Sequence, residues 1–316
     1  MRWRPTADIS TLRHTLFVIG CVLCFFPWVS AAIALVMGIA FSLSLGNPWP
    51  SGTSKFSKII LQVSVVGLGF GLMLGEVLQT GRDSIVFTIV GIGVTLIVGY
   101  LLGKMFRTEK NTSALISFGT AICGGSAIAA MAPVIRAKDD ETAIALATVF
   151  TLNSVALLLF PIFGHLLDLS QTTFGTWAGL AIHDTSSVVG AAAAYGSQAL
   201  AVGTTVKLTR ALWITPIVIG AAWIKKSDGK IKVPLFIIGF VLAAAIATMW
   251  PQYGDVWQQM TAIAKRLLVL TLFLIGTGLS REVLRKVGVR PFLQGITLWL
   301  LVGSLTLAAL MLIGIE

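Results

Sequence analysis

The 316-residue chain is poor in charge: 23 Lys and Arg and 13 Asp and Glu make up only 11% of it. A water-soluble domain carries about 25% charged residues, so this chain cannot clothe a water-facing surface. With 56% hydrophobic residues and a mean hydropathy of +0.91 it reads as an all-α integral membrane protein in one domain, 1–316. It lacks any stretch resembling a soluble domain or a long linker. It has only three cysteines, too few for a disulfide framework, and Cys21 and Cys24 form a CxxC inside "LFVIGCVLCFF", where packing is the expected role. No Walker A sequence is present, which argues against transport driven by ATP. No metal-ligand set is visible, and no cofactor is expected beyond a coupling H+ or Na+. The net charge of +10 is not the mark of a nucleic-acid partner, because the basic residues fall in short loops.

What the chain does have is apolar runs. Eleven segments are candidate spans: 12–28, 31–45, 56–75, 84–103, 112–133, 142–163, 174–195, 202–224, 233–250, 258–280 and 291–314. With Arg2, Arg4 and Arg13 inside, the inside loops collect Lys55 and Lys58; Lys104, Arg107 and Lys110; Lys225, Lys226, Lys230 and Lys232; and Arg281, Arg285, Lys286 and Arg290. The expected topology is multi-pass in a bacterial inner membrane, N-terminus cytoplasmic and Glu316 outside. The loop 134–141 then falls outside.

Two internal similarities stand out. "GLGFGLMLGEVLQTG" and "LIGTGLSREVLRKVG" share Gly69, Gly71, Leu72 and Gly81 with Gly276, Gly278, Leu279 and Gly288, 207 residues on. Opposite directions for these two helices predict an inverted repeat, with two N-terminal spans in 1–50, one half over 56–163 and the other over 174–314. "GTAICGGSAIAA" and "GLAIHDTSSVVG" share Gly119, Ala121, Ile122 and Ser126 with Gly179, Ala181, Ile182 and Ser186, 60 residues on. Eleven full spans would make this second pair parallel, which conflicts with inversion. Either one member is re-entrant or the likeness is chance.

Three polar interruptions could carry chemistry. In the fifth segment Gly124 and Gly125 weaken the helix and Ser126 can cap a restarted one. Helix ends exposed there, around Cys123 to Ser126, suit an anion; close packing of small residues is the plain alternative. In the seventh, His183 and Asp184 precede three hydroxyls, Thr185, Ser186 and Ser187. A buried ionisable pair is costly in a bilayer and points to proton or ion coupling, unless the stretch is a solvated loop. Asn153 and Ser154 in the sixth segment can hydrogen-bond across helices or line a cavity. In the eighth, Lys207 and Arg210 lie three apart on one helix face with Thr204 nearby, and Pro216 weakens the helix beyond. They form an anion clamp if they face inward, or snorkel to an interface if they do not.

Together the stretches "GLGFGL", "ICGGSAIAAMAPVIRA", "ATVF", "AIHDTSSVVGAAAAYG" and "VKLTRALWITP" resemble the YeiH-type sulfate exporter family of bacterial inner-membrane proteins (UPF0324-like), from about Gly67 to about Arg290. That family is similar to the bile-acid, arsenite and riboflavin transporter group. The resemblance implies an inverted-repeat secondary-transporter fold with discontinuous helices crossing at Cys123–Ser126 and near His183–Ser187. The family often carries His-Glu followed by Ala-Gln where this chain has His183, Asp184, Thr185 and Ser186.

The expected function is secondary transport of a small anion, sulfate or an organic sulfonate, with Lys207, Arg210, Cys123, Gly124, Gly125 and Ser126 binding it. His183, Asp184, Thr185, Ser186, Ser187 and Asn153 would couple a proton. The alternatives are a sodium-coupled carrier of an organic anion and, behind it, a membrane-embedded enzyme. Expected partners are the anion and the lipid bilayer, with a homodimer allowed.

Overall fold

The structure, a computed structural model, describes residues 6–225, 235–278 and 288–313. Arg2, Arg4, Lys226, Lys230, Lys232, Arg281, Arg285, Lys286 and Glu316, and Leu279 of the longer repeat, lie outside the described residues. Every described element is helical apart from turns. Five helical stretches are long and apolar enough to cross a membrane: 85–105, 139–166, 197–224, 251–277 and 289–313. A sixth is added if Pro50–Gly69 and Leu74–Asp83 form one broken span. Their outward faces are apolar, with Val86, Ile97, Leu101 and Leu312 more than half exposed, the surface that lipid and not water would cover.

Contacts divide the chain into two compact units, Met1–Met73 with Ile238–Arg281 and Leu74–Ile237 with Glu282–Glu316. In the first, α1 (Thr6–Leu23), α2 (Ala31–Ser44) and α3 (Pro50–Gly69) gather with α13 (Leu235–Met249) and α14 (Gly254–Thr277). Phe17, Cys24, Ala34, Ile60, Phe273 and Leu274 form its core. A Cβ on Gly38 would meet the main chain of Phe273, so α2 and α14 approach backbone to backbone; in lipid, close van der Waals packing of this kind is what holds helices together. Cys24 is fully buried in the core, its thiol donating to the Gly20 carbonyl at 3.2 Å.

The second unit is built around α8 (Asp139–Leu166), 28 residues and thus about 42 Å long. α6 (Lys110–Ala121) starts beside the start of α8: the Asn111 amide donates to Glu141 at 3.0 Å. The chain breaks at 122–124, turns back through α7 (Gly125–Met131) and re-enters α8 at Asp139. At the other end of α8, α9 (Gln171–Ala181) enters, breaks at 182–184, and α10 (Thr185–Tyr195) returns. The return is closed by Tyr195, which stacks on Phe174 at 3.8 Å and donates to the Leu169 carbonyl at 2.5 Å. Helices of 11 residues reach only about 16 Å, half a hydrocarbon core of about 30 Å.

The fifth and seventh candidate segments therefore fold back, and no more than nine of the eleven can cross. The expectation of about eleven crossings is corrected here. The physical reason is the break in mid-segment: a Gly pair in one hairpin and a self-capping Asp in the other each start a new helix in the reverse direction. Residues 134–141 consequently lie on the same side as 104–110, not the opposite side. The two hairpins enter from opposite ends of α8, so α6 and α9 run antiparallel and the parity conflict disappears.

Five further helices complete this unit: α4 (Leu74–Asp83), α5 (Ile85–Met105), the α11 (Ser197–Leu212) and α12 (Ile214–Lys225) pair, and α15 (Val289–Ile313). α4 was not among the expected segments. Trp213, where α11 gives way to α12, hydrogen-bonds to Arg210 at 3.1 Å, and Pro216 has no N–H to continue the ladder. The buried Gln294 amide of α15 donates to the Gly99 carbonyl at 3.1 Å and the Ser113 hydroxyl at 2.9 Å, tying α15 to α5 and α6.

Candidate functional site

The two hairpin tips meet at the middle of α8. Asn153, halfway along that helix, accepts from the main-chain N–H groups of His183 at 3.1 Å and Asp184 at 3.3 Å. Gly124 occupies φ +65°, where a side chain is strained, and a Cβ there would lie 3.3 Å from that of Asp184. The tip of one hairpin thus packs directly on the tip of the other.

Antiparallel hairpins meeting in this way bring two helix C-termini together, those of α6 and α9, each with unpaired carbonyls and a partial negative charge of about one half. Two cations from α11 answer both. The Lys207 ammonium donates to the Ile122 carbonyl at 2.9 Å and the Ile182 carbonyl at 2.7 Å. These two residues are the equivalent positions of the 60-residue repeat. Arg210 donates from Nε to the Ala121 carbonyl at 2.6 Å, from Nη2 to Thr120 at 3.4 Å, and from Nη1 to Leu180. Lys207 is fully buried and Arg210 is 1% exposed. Neither snorkels, and neither has a carboxylate partner among the described residues. In this conformation both are committed to main-chain oxygens, so a direct clamp on an anion is not what their geometry shows.

The remaining expected residues divide. The Asp184 side chain caps α10, accepting from the Ser186 N–H at 3.0 Å and from the Ser186 hydroxyl. His183 is fully buried with neither ring nitrogen hydrogen-bonded among the described residues, so His183 and Asp184 are neighbours in sequence but not a bonded pair. Thr185 and Ser187 are buried at the start of α10. Cys123 is 3% exposed and within electrostatic reach of Lys207, Asp184 and Arg210. Gly124 is buried, Gly125 half-buried and Ser126 exposed. α7 begins at Gly125, and its N-cap Gly124 has no side chain to cap it, in contrast to Asp184 at α10. One residue escaped the sequence reading: Thr120, buried in α6 beside Arg210 with its hydroxyl unpartnered. Nothing in its local sequence distinguishes it from any other threonine in a span.

The family model described as conserved hypothetical protein 698 matches residues 19–295. The chain is 64% identical over 303 residues to a UPF0324 membrane protein of Geobacter sulfurreducens, covering 96% of this chain and 98% of that one. The chain belongs to the UPF0324 membrane protein family. A UPF0324 relative from Bdellovibrio bacteriovorus is 52% identical over 98% of each chain. One from Bacteroides thetaiotaomicron is 49% identical over 96% of this chain and 93% of its own. The motif resemblance thus holds at the level of the UPF0324 family, and with it a multi-pass membrane protein. No solved structure matches the chain.

Proposed function

We propose that this UPF0324 protein is a secondary transporter of a small anion, sulfate or an organic sulfonate, working as a carrier and not as an enzyme. The observation that supports this reading is the pair of buried cations at the meeting point of two broken helices, neither of them in direct contact with a carboxylate among the described residues. Lys207 and Arg210 supply two positive charges. The C-termini of α6 and α9 offset about one, Asp184 offsets another, and the N-termini of α7 and α10 restore about one. The surplus is on the order of one positive charge, buried at the midpoint of α8. An anion resting near Cys123 to Ser126, against the uncapped start of α7, would balance it. Lys207 and Arg210 act behind the anion, fixing the tips and setting the potential. Asp184 and His183, with Asn153 and the Thr185 to Ser187 hydroxyls, are the groups for proton coupling. Alternating access would follow from movement of the hairpin-bearing unit.

The test is flux of labelled sulfate and methanesulfonate in proteoliposomes, with and without a pH gradient. Anion counterflow that Asp184→Asn uncouples from pH is the expected result; absence of flux for both anions overturns the reading. The hydroxyls flanking Asp184 favour sodium coupling as the second reading, and replacing sodium by choline separates the two.

A further inference from the structure

Buried polar side chains in folded proteins almost always have hydrogen-bond partners, and one without a protein partner is free to bond a solute. Among the described residues, four such side chains belong to residues in or next to the hairpin tips and the clamp helix: the Thr120 hydroxyl, the Asn153 Nδ2, both nitrogens of His183 and the Thr204 hydroxyl. All are 3% exposed or less. They come from four places, namely α6, the middle of α8, the tip of the α9–α10 hairpin and α11. Each belongs to a residue tied to the clamp through the main chain, a neighbouring turn or one hydrogen bond. The Thr120 carbonyl takes Arg210, and the Ile182 carbonyl just before His183 takes Lys207. Thr204 lies one turn before Lys207 on the same face of α11. Asn153 holds the main chain of His183. Its orientation is not arbitrary: the atom that faces two N–H donors must be the oxygen, which leaves the amide donors free.

We infer that these four uncharged groups, and not Lys207 or Arg210, contact the transported solute, and that they select a singly charged oxoanion head group of the sulfonate or carboxylate class over a dianion. The inference rests on the anion-transport reading. Amide, hydroxyl and imidazole groups offer hydrogen bonds without adding charge, and the surplus at the tips is of the order of one positive charge. A monoanion with two or three acceptor oxygens satisfies both conditions. A dianion would leave one negative charge buried and unpaired, which is costly.

Thr120→Val and Thr204→Val remove the hydroxyls at nearly constant volume. Because those hydroxyls have no protein partner, both variants should melt at or above the wild-type temperature without ligand. The binding of methanesulfonate, read by thermal shift and titration calorimetry on the purified protein, should weaken about tenfold in each. At equal ionic strength, methanesulfonate should protect the wild type more than sulfate. Equal methanesulfonate affinity in wild type and both variants overturns the donor set. Greater protection by sulfate overturns the monoanion assignment. A wild type that no anion protects fails the transport reading itself, and this inference with it.

Discussion

Replacing Gly124 by alanine tests the tip-to-tip contact on which the site depends. At φ +65° and ψ −125° an alanine is in a region that only glycine occupies freely, a strain of about 1–3 kcal/mol. Its Cβ would also press on Asp184 at 3.3 Å and on the His183 carbonyl at 3.4 Å, and overpacking of this kind adds about 1 kcal/mol. The total, about 2–4 kcal/mol, is a large share of a typical net stability of about 5–15 kcal/mol. For a chain of this size it lowers the melting temperature by roughly 3–6 °C. Tryptophan fluorescence of the detergent-solubilised protein follows the melt, since the chain has nine tryptophans. Gly91→Ala is the control: it lies within α5 with open space around its Cβ position. Alanine there should be neutral or stabilising by about 0.5–1 kcal/mol, the helix-propensity difference. If Gly124→Ala melts with Gly91→Ala, the tips do not pack as described.

Sidedness is checked with an impermeant maleimide on single cysteines in a background lacking Cys21, Cys24 and Cys123. Asp168→Cys and Gln198→Cys should label from one face, and Glu109→Cys and Lys138→Cys from the other; a split within either pair would mean that a hairpin crosses. Asn153→Ala leaves two main-chain N–H groups at the tip unpaired and should cost about 2–6 kcal/mol, at about 1–3 kcal/mol for each group, as a lowered melting temperature. A variant that melts like wild type refutes the anchoring role. Tyr195→Phe removes only the bond to Leu169 at the hairpin mouth and should cost about 1 kcal/mol, a shift of roughly 1–2 °C.

Much of this was legible in the sequence, and the limits have physical causes. The apolar runs located the helices because lipid demands about 20 apolar residues for each crossing. The two Gly- and hydroxyl-rich interruptions marked both breaks, since a Gly pair and an Asp followed by hydroxyls disfavour a continuous helix. Direction was not legible: a half-helix that turns back and one that crosses have the same composition. Only contacts such as Asn111 with Glu141 and Tyr195 with Leu169 decide it. The inward orientation of Lys207 and Arg210 was one of two open readings. Their partners were not legible, because a main-chain carbonyl leaves no trace in residue type. The division of the chain into two compact units, each drawn from separated stretches of sequence, was hidden for a similar reason, as it arises from contacts between distant parts of the chain.

The clamp explains why two ionised side chains are kept in a place where each is expensive. A charged residue at the centre of a bilayer costs about 2.5–3.5 kcal/mol on insertion scales. Two hairpins that meet tip to tip inside a membrane bring two negative helix ends together, with carbonyls that water cannot reach. Lys207 satisfies one carbonyl on each hairpin, and Arg210 satisfies carbonyls on both. A carboxylate partner would neutralise the cations but compete with those carbonyls for the same donors. Main-chain partners secure the hairpins and leave the positive charge only partly offset. The feature that lets two broken helices meet is therefore the same one that makes their meeting point attractive to an anion. A substitution at Lys207 that removes charge should accordingly alter stability and anion affinity together, whereas Thr204→Val should alter affinity alone.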